Sequence, residues 1–314
     1  MRAALLIPQT GPHAALGRSM ERAAILAQAG NDDDALLVFD TGGTIEGAAA
    51  AAAQARKKRA SIILGPLRSA EVPAVLGATG GTMPVVTFSN DAQLRESGAF
   101  LLGITARQSV RSILQYAASR GVRRVAVDGA NDPWAAQVRA AAVAESATLG
   151  ITIGQLPADM GQGMANNFAG SEDGFPDAVL MASAPAITAL GPQLAAQRIQ
   201  PLAALPELDL TPDMVGQMEG TWLAAPDPTG FQNFVRAFEQ RMGTRPGLIA
   251  ALAFDASNIV NAMRLTGGLD RSALLSANGF AGVCGNVRFR ENGSAARELV
   301  ILELVNRAIR KVAG

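Results

Sequence analysis

The sequence predicts an α/β fold of two doubly wound parallel-sheet lobes joined by three crossovers. Short apolar runs bounded by Gly and Pro alternate with helical segments as far as residue 225, which is typical of βαβ units with buried parallel strands. Three early strands end in turns that contain Gly, Ser, Thr or Asn, at 8–11, 65–69 and 87–90. A second strand–helix series begins near Thr105.

Each predicted strand is a short apolar run, and each predicted helix is longer and bounded by turn residues. The predicted strands are 3–7, 35–39, 61–64, 84–88, 99–104, 123–128, 151–156, 177–181, 202–205 and 222–225. The predicted helices are 14–29, 45–58, 70–78, 108–120, 134–149, 186–198, 231–241 and 248–266, with a short one near Ser272. The turn Glu291-Asn292-Gly293 predicts a final hairpin between 286–290 and 298–305.

The breaks in this order predict where the lobes meet. They lie near Thr105, at Pro226-Asp227-Pro228 and near 282–285. We therefore predict an N-terminal lobe of residues 1–105 plus 228–283 and a C-terminal lobe of 106–227 plus 284–314. Three chain crossings would form a hinge that lets the lobes close without unfolding.

Composition narrows the classes of partner. The chain has 27 Lys and Arg against 27 Asp and Glu, and its basic run at 56–59 is expected to be a solvated helix end, so we predict no nucleic acid. No apolar stretch approaches the ~20 residues of a membrane span, which predicts a chain that does not cross a membrane. Met1-Arg2 leads straight into a strand-like run, which leaves two alternatives: a cytosolic protein, or one whose export signal was removed.

One string favours an enzyme. Thr41-Gly42-Gly43-Thr44-Ile45 resembles the first signature of type I/II asparaginases, whose nucleophile is a threonine in this context. That family also needs a second cluster with a catalytic lysine, and no lysine here stands in a matching context. A threonine without a base is not activated. The alternative is a glycine turn with Thr44 capping the following helix, and we predict no enzyme.

The strand-end turns favour a binding protein. Ser69 is a predicted N-cap, and Ser89-Asn90 follows the neighbouring strand. In a parallel sheet such turns meet at the carboxyl edge, where free N–H groups can hold a carboxylate. The single histidine, His13, has no further metal ligands placed beside it, so we predict no metal and no cofactor.

An ordered set of strings then resembles a known family. The strings are Leu6-Ile7-Pro8-Gln9-Thr10-Gly11-Pro12 with Gly17, Asp40-Thr41-Gly42-Gly43, Gly65-Pro66-Leu67 with Ser69, and Pro84-Val85-Val86-Thr87-Phe88-Ser89-Asn90. Together they resemble the type I periplasmic binding proteins of the leucine/isoleucine/valine-binding class. Within that class they are most similar to the penicillin-binding protein activators of alphaproteobacteria.

The resemblance implies a two-lobed clamshell that encloses a small ligand. It implies that Ser69, Ser89 and Asn90 hold the ligand carboxylate from the first lobe. It also implies that Trp134 lies beside the ligand and that Glu207 holds an ammonium group from the second lobe. The segment Ala182-Ser183-Ala184-Pro185 departs from the family, whose amino-acid binders usually place a tyrosine there.

The function that these observations predict is a periplasmic receptor for a small polar, amino-acid-like solute, working with the membrane permease of an ABC transporter. The alternative is a penicillin-binding protein activator that acts as a protein-interaction scaffold in cell-wall synthesis. Either implies a periplasmic location with a removed export signal, and a lipid anchor is left open.

Overall fold

The structure is a computed structural model that describes residues 1–28, 36–129, 132–156, 175–205 and 212–314. It divides into two compact units. Unit 1 comprises Met1–Ile104 and Pro226–Glu298, and unit 2 comprises Thr105–Ala225 and Leu299–Gly314. The chain therefore passes between the units three times. That these units act as the lobes of a clamshell stays a prediction.

Unit 1 is built on a parallel sheet of five strands in the order β2-β1-β3-β4-β5. The strands are β1 (Arg2–Ile7), β2 (Leu37–Asp40), β3 (Ala60–Leu64), β4 (Val85–Thr87) and β5 (Phe100–Leu101). The helices of its first segment are α1 (Ala14–Gln28), α2 (Ile45–Lys57) and α3 (Val72–Thr79), with 3₁₀ turns at Ser69–Glu71 and Ala92–Leu94. In the sheet, β2 lies on one side of β1, and β3, the next strand in the chain, lies on the other side. The direction in which successive strands are added therefore reverses between β1 and β3.

Strands β1, β3, β4 and β5 are almost entirely buried on both faces, as continuous apolar strands predict, whereas the edge strand β2 is only half-buried. Four alanines on one side of α2 are buried against β1 and β3 together with α3. The alanine-rich sequence of α2 fits this packing because small side chains let the helix approach the sheet closely. The basic run at 56–59 begins in its last turn and continues past its end, and it is exposed as predicted for a solvated helix end.

The second segment of unit 1 contains α8 (Pro228–Met242), α9 (Leu248–Leu265) and α10 (Arg271–Leu274), numbered after the helices of unit 2. Helix α9 packs along α1, and Asn261 donates a hydrogen bond to the Ala27 carbonyl at 3.1 Å. Among the described helices, α9 alone is long and apolar enough to cross a membrane, but 61% of it is buried inside the protein. Its apolar sequence is therefore explained by core packing.

Unit 2 contains a sheet of seven strands in the order β14-β13-β10-β9-β8-β6-β7. Five are parallel, namely β6 (Arg124–Val127), β7 (Thr152–Gln155), β8 (Ala178–Met181), β9 (Gln200–Ala203) and β10 (Trp222–Ala225). The last two, β13 (Val300–Val305) and β14 (Ala308–Ala313), add on antiparallel. Helices α4 (Ala106–Ser119) and α5 (Pro133–Leu149) cover one face, and α6 (Ala184–Ala196) and α7 (Pro212–Gln217) cover the other.

The predicted final hairpin is only partly right. Strand β11 (Val287–Phe289) pairs with β12 (Ala295–Arg297), whereas the segment 300–305 pairs with β10 and β14 in unit 2. The predicted partner strand 298–305 is therefore wrong. The Arg297 side chain turns inward to the carbonyl oxygens of Cys284 and Leu102, and the chain leaves the hairpin at this residue.

The β11–β12 hairpin belongs to unit 1, which reaches Glu298, and the lobe boundary predicted at 283/284 stays a prediction. The Leu101 N–H donates to the Gly293 carbonyl at 2.8 Å, and the Phe289 ring contacts Phe100 edge to face at 5.4 Å. The hairpin thus covers the edge strand β5, which would otherwise expose unpaired backbone groups. Strand β14 was not predicted, since it is a largely exposed, charged edge strand.

Candidate ligand-binding site

The candidate site is the carboxyl edge of the unit 1 sheet, which we call the unit 1 edge. It consists of the loops that follow β1 to β4, at residues 8–13, 40–44, 65–69 and 88–91. Ligands of parallel sheets bind at such edges where the order of strands reverses. In unit 1 that reversal lies between β1 and β3.

Asp40 connects the first two loops. Its Oδ1 accepts hydrogen bonds from the N–H groups of Gln9, Thr10 and Gly42, and its Oδ2 accepts one from the Thr10 hydroxyl at 2.6 Å. Burial opposes ionisation, but these bonds outweigh it, so the pKa of the Asp40 carboxyl lies below its ordinary value. Asp40 is therefore an internally satisfied anion that fixes the loops after β1 and β2.

The loop after β3 is held against its neighbours on both sides. A Cβ atom on Gly65 would lie 2.3 Å from the Leu6 carbonyl oxygen, and the φ of Gly65 is +122°, so only glycine fits there. On the other side, the Pro66 carbonyl accepts bonds from the Thr87 hydroxyl at 2.8 Å and from the Phe88 N–H at 3.1 Å. The four loops consequently form one connected surface.

Ser69 lies on this surface but does not cap a helix. Arg68 occupies the N-cap position of the 3₁₀ turn with an extended backbone, and Ser69 is the first residue of the turn, so the prediction of an N-cap serine is wrong. The first turn bonds run from Glu71 N–H to Arg68 and from Val72 N–H to Ser69. Among the described residues, nothing pairs with the Ser69 hydroxyl or with the N–H groups of Ser69 and Ala70.

Ser89 and Asn90 follow β4 at the same edge, so the structure brings them to the neighbouring strand end as predicted. Ser89 is buried, and its hydroxyl accepts a hydrogen bond from the Asp91 N–H at 3.1 Å. Its own N–H donates to the Thr87 hydroxyl at 3.2 Å. Asn90 is half-buried, and its side chain has no hydrogen-bond partner in the described ranges. Asn90 is therefore freer than Ser89 to contact a ligand.

Trp134 lies in unit 2, at the start of α5. Asp132 caps this helix by accepting bonds from the N–H groups of Trp134 and Ala135. The indole is 8% exposed, packs in the core of unit 2, and donates its N–H to the Ala204 carbonyl at 2.8 Å. Because the indole N–H is used inside unit 2, the ring has only carbon atoms to offer a ligand. Glu207 lies outside the described residues, and its role stays a prediction.

The threonines of the asparaginase-like string have structural roles. The Thr44 hydroxyl accepts a hydrogen bond from the Gly47 N–H at 3.0 Å and caps α2, as the alternative interpretation predicted. Thr41 is fully buried, and its hydroxyl accepts a bond from the Gly43 N–H at 3.2 Å. No group of His, Cys, Asp and Glu that could hold a metal ion is found in the described part of the chain.

Sequence reasoning missed two charged residues at the unit 1 edge. Arg68 donates from Nη1 to the Gly43 carbonyl at 2.7 Å, and so reaches from the β3 loop to the β2 loop. Glu71, three residues later, is 1% exposed, and neither of its carboxylate oxygens has a hydrogen-bond partner among the described residues. Both stand within or beside the Gly-Pro-x-x-Ser string, whose variable positions gave no signal.

In unit 2, sequence reasoning also missed Asp128 at the end of β6. Its Oδ2 accepts a hydrogen bond from the Ala182 N–H at 3.0 Å, and its Oδ1 is buried with no partner in the described ranges. The bond joins the ends of β6 and β8, so it fixes the carboxyl edge of the unit 2 sheet. The continuous apolar runs of these strands could not have indicated it.

Comparison with known proteins identifies the family. The pattern of the family described as "Periplasmic binding protein" matches residues 1–308. The chain therefore belongs to the periplasmic binding protein family, and the resemblance found in the sequence is confirmed. A comparison with curated protein sequences found no match.

Three solved structures show the same fold. A protein assigned as a branched-chain amino acid ABC transporter from Rhodospirillum rubrum has a TM-score of 0.82 at 22% identity, covering 99% of each chain. The LpoA C-domain from Haemophilus influenzae, a regulator of PBP1A, has a TM-score of 0.75 at 19% identity, covering 100% of each chain. A solute binding protein of an ABC transporter from Rhodopseudomonas palustris, in complex with 3,4-dihydroxybenzoic acid, has a TM-score of 0.70 at 19% identity, covering 100% of this chain and 96% of that one.

These matches confirm the predicted type I periplasmic binding protein fold. The family and its structural neighbours are solute-binding or regulatory proteins.

Proposed function

We propose that this protein is a periplasmic solute-binding receptor that presents a small polar, amino-acid-like ligand to the permease of an ABC transporter. Ser69, Ser89 and Asn90 of unit 1 are its proposed ligand contacts. Trp134 and Glu207 of unit 2 are proposed contacts on the strength of the family resemblance alone. The chain is proposed to bind without catalysis, since the hydroxyls of Thr41 and Thr44 already serve the β2 loop.

One observation carries this proposal. At the strand reversal of unit 1, the hydroxyl and N–H of Ser69 and the N–H of Ala70 have no partner among the described residues. Ser69 is half-buried and Ala70 is exposed, so these donors are open to solvent and to a ligand. Three donors on two adjacent residues at a ligand-binding edge match the oxygens of a carboxylate.

The first test is isothermal titration of branched-chain amino acids and small aromatic acids. Ser69→Ala is expected to weaken the binding of the best ligand about tenfold, because it removes one hydrogen bond to a charged group, worth about 1.5 kcal/mol. Ser61→Ala is the matched control, since Ser61 lies in the same strand, β3, away from the edge. Equal loss in both variants, or no binding of any compound, would argue against the proposal.

A second function is kept because the LpoA C-domain, a regulator of PBP1A, shares the fold over its full length. In that case the chain would act as a scaffold for a penicillin-binding protein in cell-wall synthesis. The internal use of the Trp134 indole N–H leaves one polar group fewer to hold a solute. Co-precipitation of envelope penicillin-binding proteins with the purified chain, in the absence of any solute binding, would select this second function.

A further inference from the structure

A cluster of cations lies at the amino edge of the unit 1 sheet, at the opposite end of the strands from the unit 1 edge. Residues 56–59 are Arg-Lys-Lys-Arg, and they connect the end of α2 to the start of β3. The first residue of β3, Ala60, pairs with Arg2 at the start of β1. Because this register brings Arg2 beside the basic run, we call Arg2 and residues 56–59 the basic patch.

The charges of the basic patch are not neutralised by ion pairs. All five side chains are exposed, and none forms an ion pair or a side-chain hydrogen bond with a described residue. The acid of α2, Glu46, lies in the first turn of that helix, about 16 Å along the axis from its basic end. The segments that lead into β1, β3 and β4, at 1–2, 56–59 and 80–84, contain no acid.

One further segment enters the same edge. The residues that lead into β2 include Asp32-Asp33-Asp34 and lie outside the described residues. Their charges are present in the whole chain, so any test of the basic patch has to use the whole chain.

Stabilisation of α2 accounts for only part of the basic patch. Cations in the last turn of a helix complement its dipole, which explains Arg56 and Lys57. Arg59 lies beyond the helix with a φ of 58°, in the left-handed region where glycine is the usual residue. Since an arginine in that conformation is less stable than a glycine, the fold does not require a cation at this position.

We propose that the basic patch binds the surface of an anionic phospholipid bilayer. Clusters of exposed lysine and arginine are attracted to the negative surface potential of such a membrane. A nucleic acid fits less well, because the patch has no aromatic side chain on which a base can stack. The patch also lacks the aromatic anchors that are typical of protein interfaces. This surface goes beyond the proposed solute-binding function and does not depend on it, because it lies at the other edge of the sheet.

Co-sedimentation of the whole chain with lipid vesicles tests the proposal. The wild type is expected to bind vesicles that contain phosphatidylglycerol and not vesicles of pure phosphatidylcholine, and added salt should release it by screening the charges. Combined replacement of Lys57→Gln, Lys58→Gln and Arg59→Gln should weaken binding about a hundredfold, at about fivefold for each cation.

The matched control removes three exposed arginines of unit 1 outside the basic patch, so that net charge falls by the same amount. It should bind the vesicles within about threefold of the wild type, because its substitutions lie away from the contact. The three substitutions are Arg18→Gln, Arg241→Gln and Arg288→Gln.

Arg59→Gly tests whether a loss of binding comes from unfolding. It should weaken vesicle binding about fivefold and keep or raise the melting temperature, because it removes a charge and relieves the left-handed backbone. Loss of vesicle binding only in variants that melt below the wild type would contradict the proposal.

The remaining outcomes are equally decisive. The proposal is overturned if the wild type does not bind the phosphatidylglycerol vesicles, if it binds both kinds of vesicle equally, or if the two triple variants lose binding equally. Binding of a DNA duplex or an acidic peptide in place of the vesicles would also overturn it. Solute titration of the basic-patch triple variant should match the wild type, so failure of this inference leaves the proposed function standing.

Discussion

Gly17→Ala is expected to lower the free energy of unfolding by about 3 kcal/mol. Gly17 is buried in α1, and a Cβ atom there would lie 1.9 Å from the Pro8 carbonyl oxygen and 2.6 Å from its carbon. Both of those atoms belong to the backbone, so the clash can be relieved only if α1 or the loop after β1 moves. Overpacking of a tight contact costs this much when the backbone has to shift. Urea denaturation followed by circular dichroism measures the loss.

Gly77→Ala is the matched control for that variant. Gly77 lies in the last turn of α3, and a Cβ atom there has no neighbour within 4 Å. Since alanine favours helix over glycine, this variant should gain about 0.5–1 kcal/mol. If the two variants change stability in the same direction, the close approach of α1 to the β1 loop is not as described.

Arg297→Met is the second large effect, with an expected loss of about 3–4 kcal/mol. The Arg297 guanidinium donates to the carbonyl oxygens of Cys284, at 2.8 Å, and Leu102, and its charge lies close to the buried carboxylate of Asp255. Asp255 in turn accepts the N–H groups of Val283 and Cys284 at 2.8 and 2.9 Å. Methionine fills similar space but leaves two carbonyl oxygens and a buried carboxylate without their partner, which is strongly destabilising.

The same cluster gives a pH dependence with a defined sign. Burial raises the pKa of Asp255 above its ordinary value of 3.8, although its hydrogen bonds and Arg297 oppose the shift. The native state therefore binds this proton more readily than the unfolded state, and Asp255 lowers stability as the pH rises above 3.8 towards its native pKa. Compared with Asp255→Asn, the wild type should lose free energy of unfolding as the pH rises through this window. In Arg297→Met the loss should extend to higher pH, because the charge that opposes the rise in the Asp255 pKa is gone.

Arg288→Met controls for the arginine substitution. Arg288 lies in β11 of the same hairpin, but its side chain is exposed. Its replacement should change the free energy of unfolding by less than about 0.5 kcal/mol. A comparable loss in both variants would show that the hairpin, and not the buried cluster around Asp255, accounts for the effect.

Much of the fold could be predicted because its signals are local. The apolar runs and glycine turns of unit 1 predicted β1 at 3–7 and α2 at 45–58, and the structure has them at Arg2–Ile7 and Ile45–Lys57. The predicted partner of the final hairpin, residues 298–305, was wrong because its pairing depends on contacts that are distant in sequence. Whether a strand ends at Arg297 depends on buried carbonyls at Leu102 and Cys284, which are distant in sequence.

The candidate site was predictable only in outline. Turns rich in Gly and Ser locate the carboxyl edge, because strand periodicity fixes where each loop falls. The sequence could not show that the Ser89 hydroxyl accepts a hydrogen bond from the Asp91 N–H, nor that the Trp134 indole donates its N–H to the Ala204 carbonyl. Both hydrogen bonds depend on how the folded chain packs. The free donors of Ser69 and the crossing of Arg68 to Gly43 likewise depend on the distance between two loops.

The most direct measurement of the central claim is an amide-resolved NMR titration of the ¹⁵N-labelled protein with the solute panel. Since the ligand is proposed to take the open donors of the unit 1 edge, the largest shifts should fall on the N–H signals of Ser69, Ala70 and Asn90. The signals of Gly77 and Ser61, outside the edge, should hardly move. Largest shifts far from residues 65–69 and 88–91, or no shifts with any solute, would contradict the account.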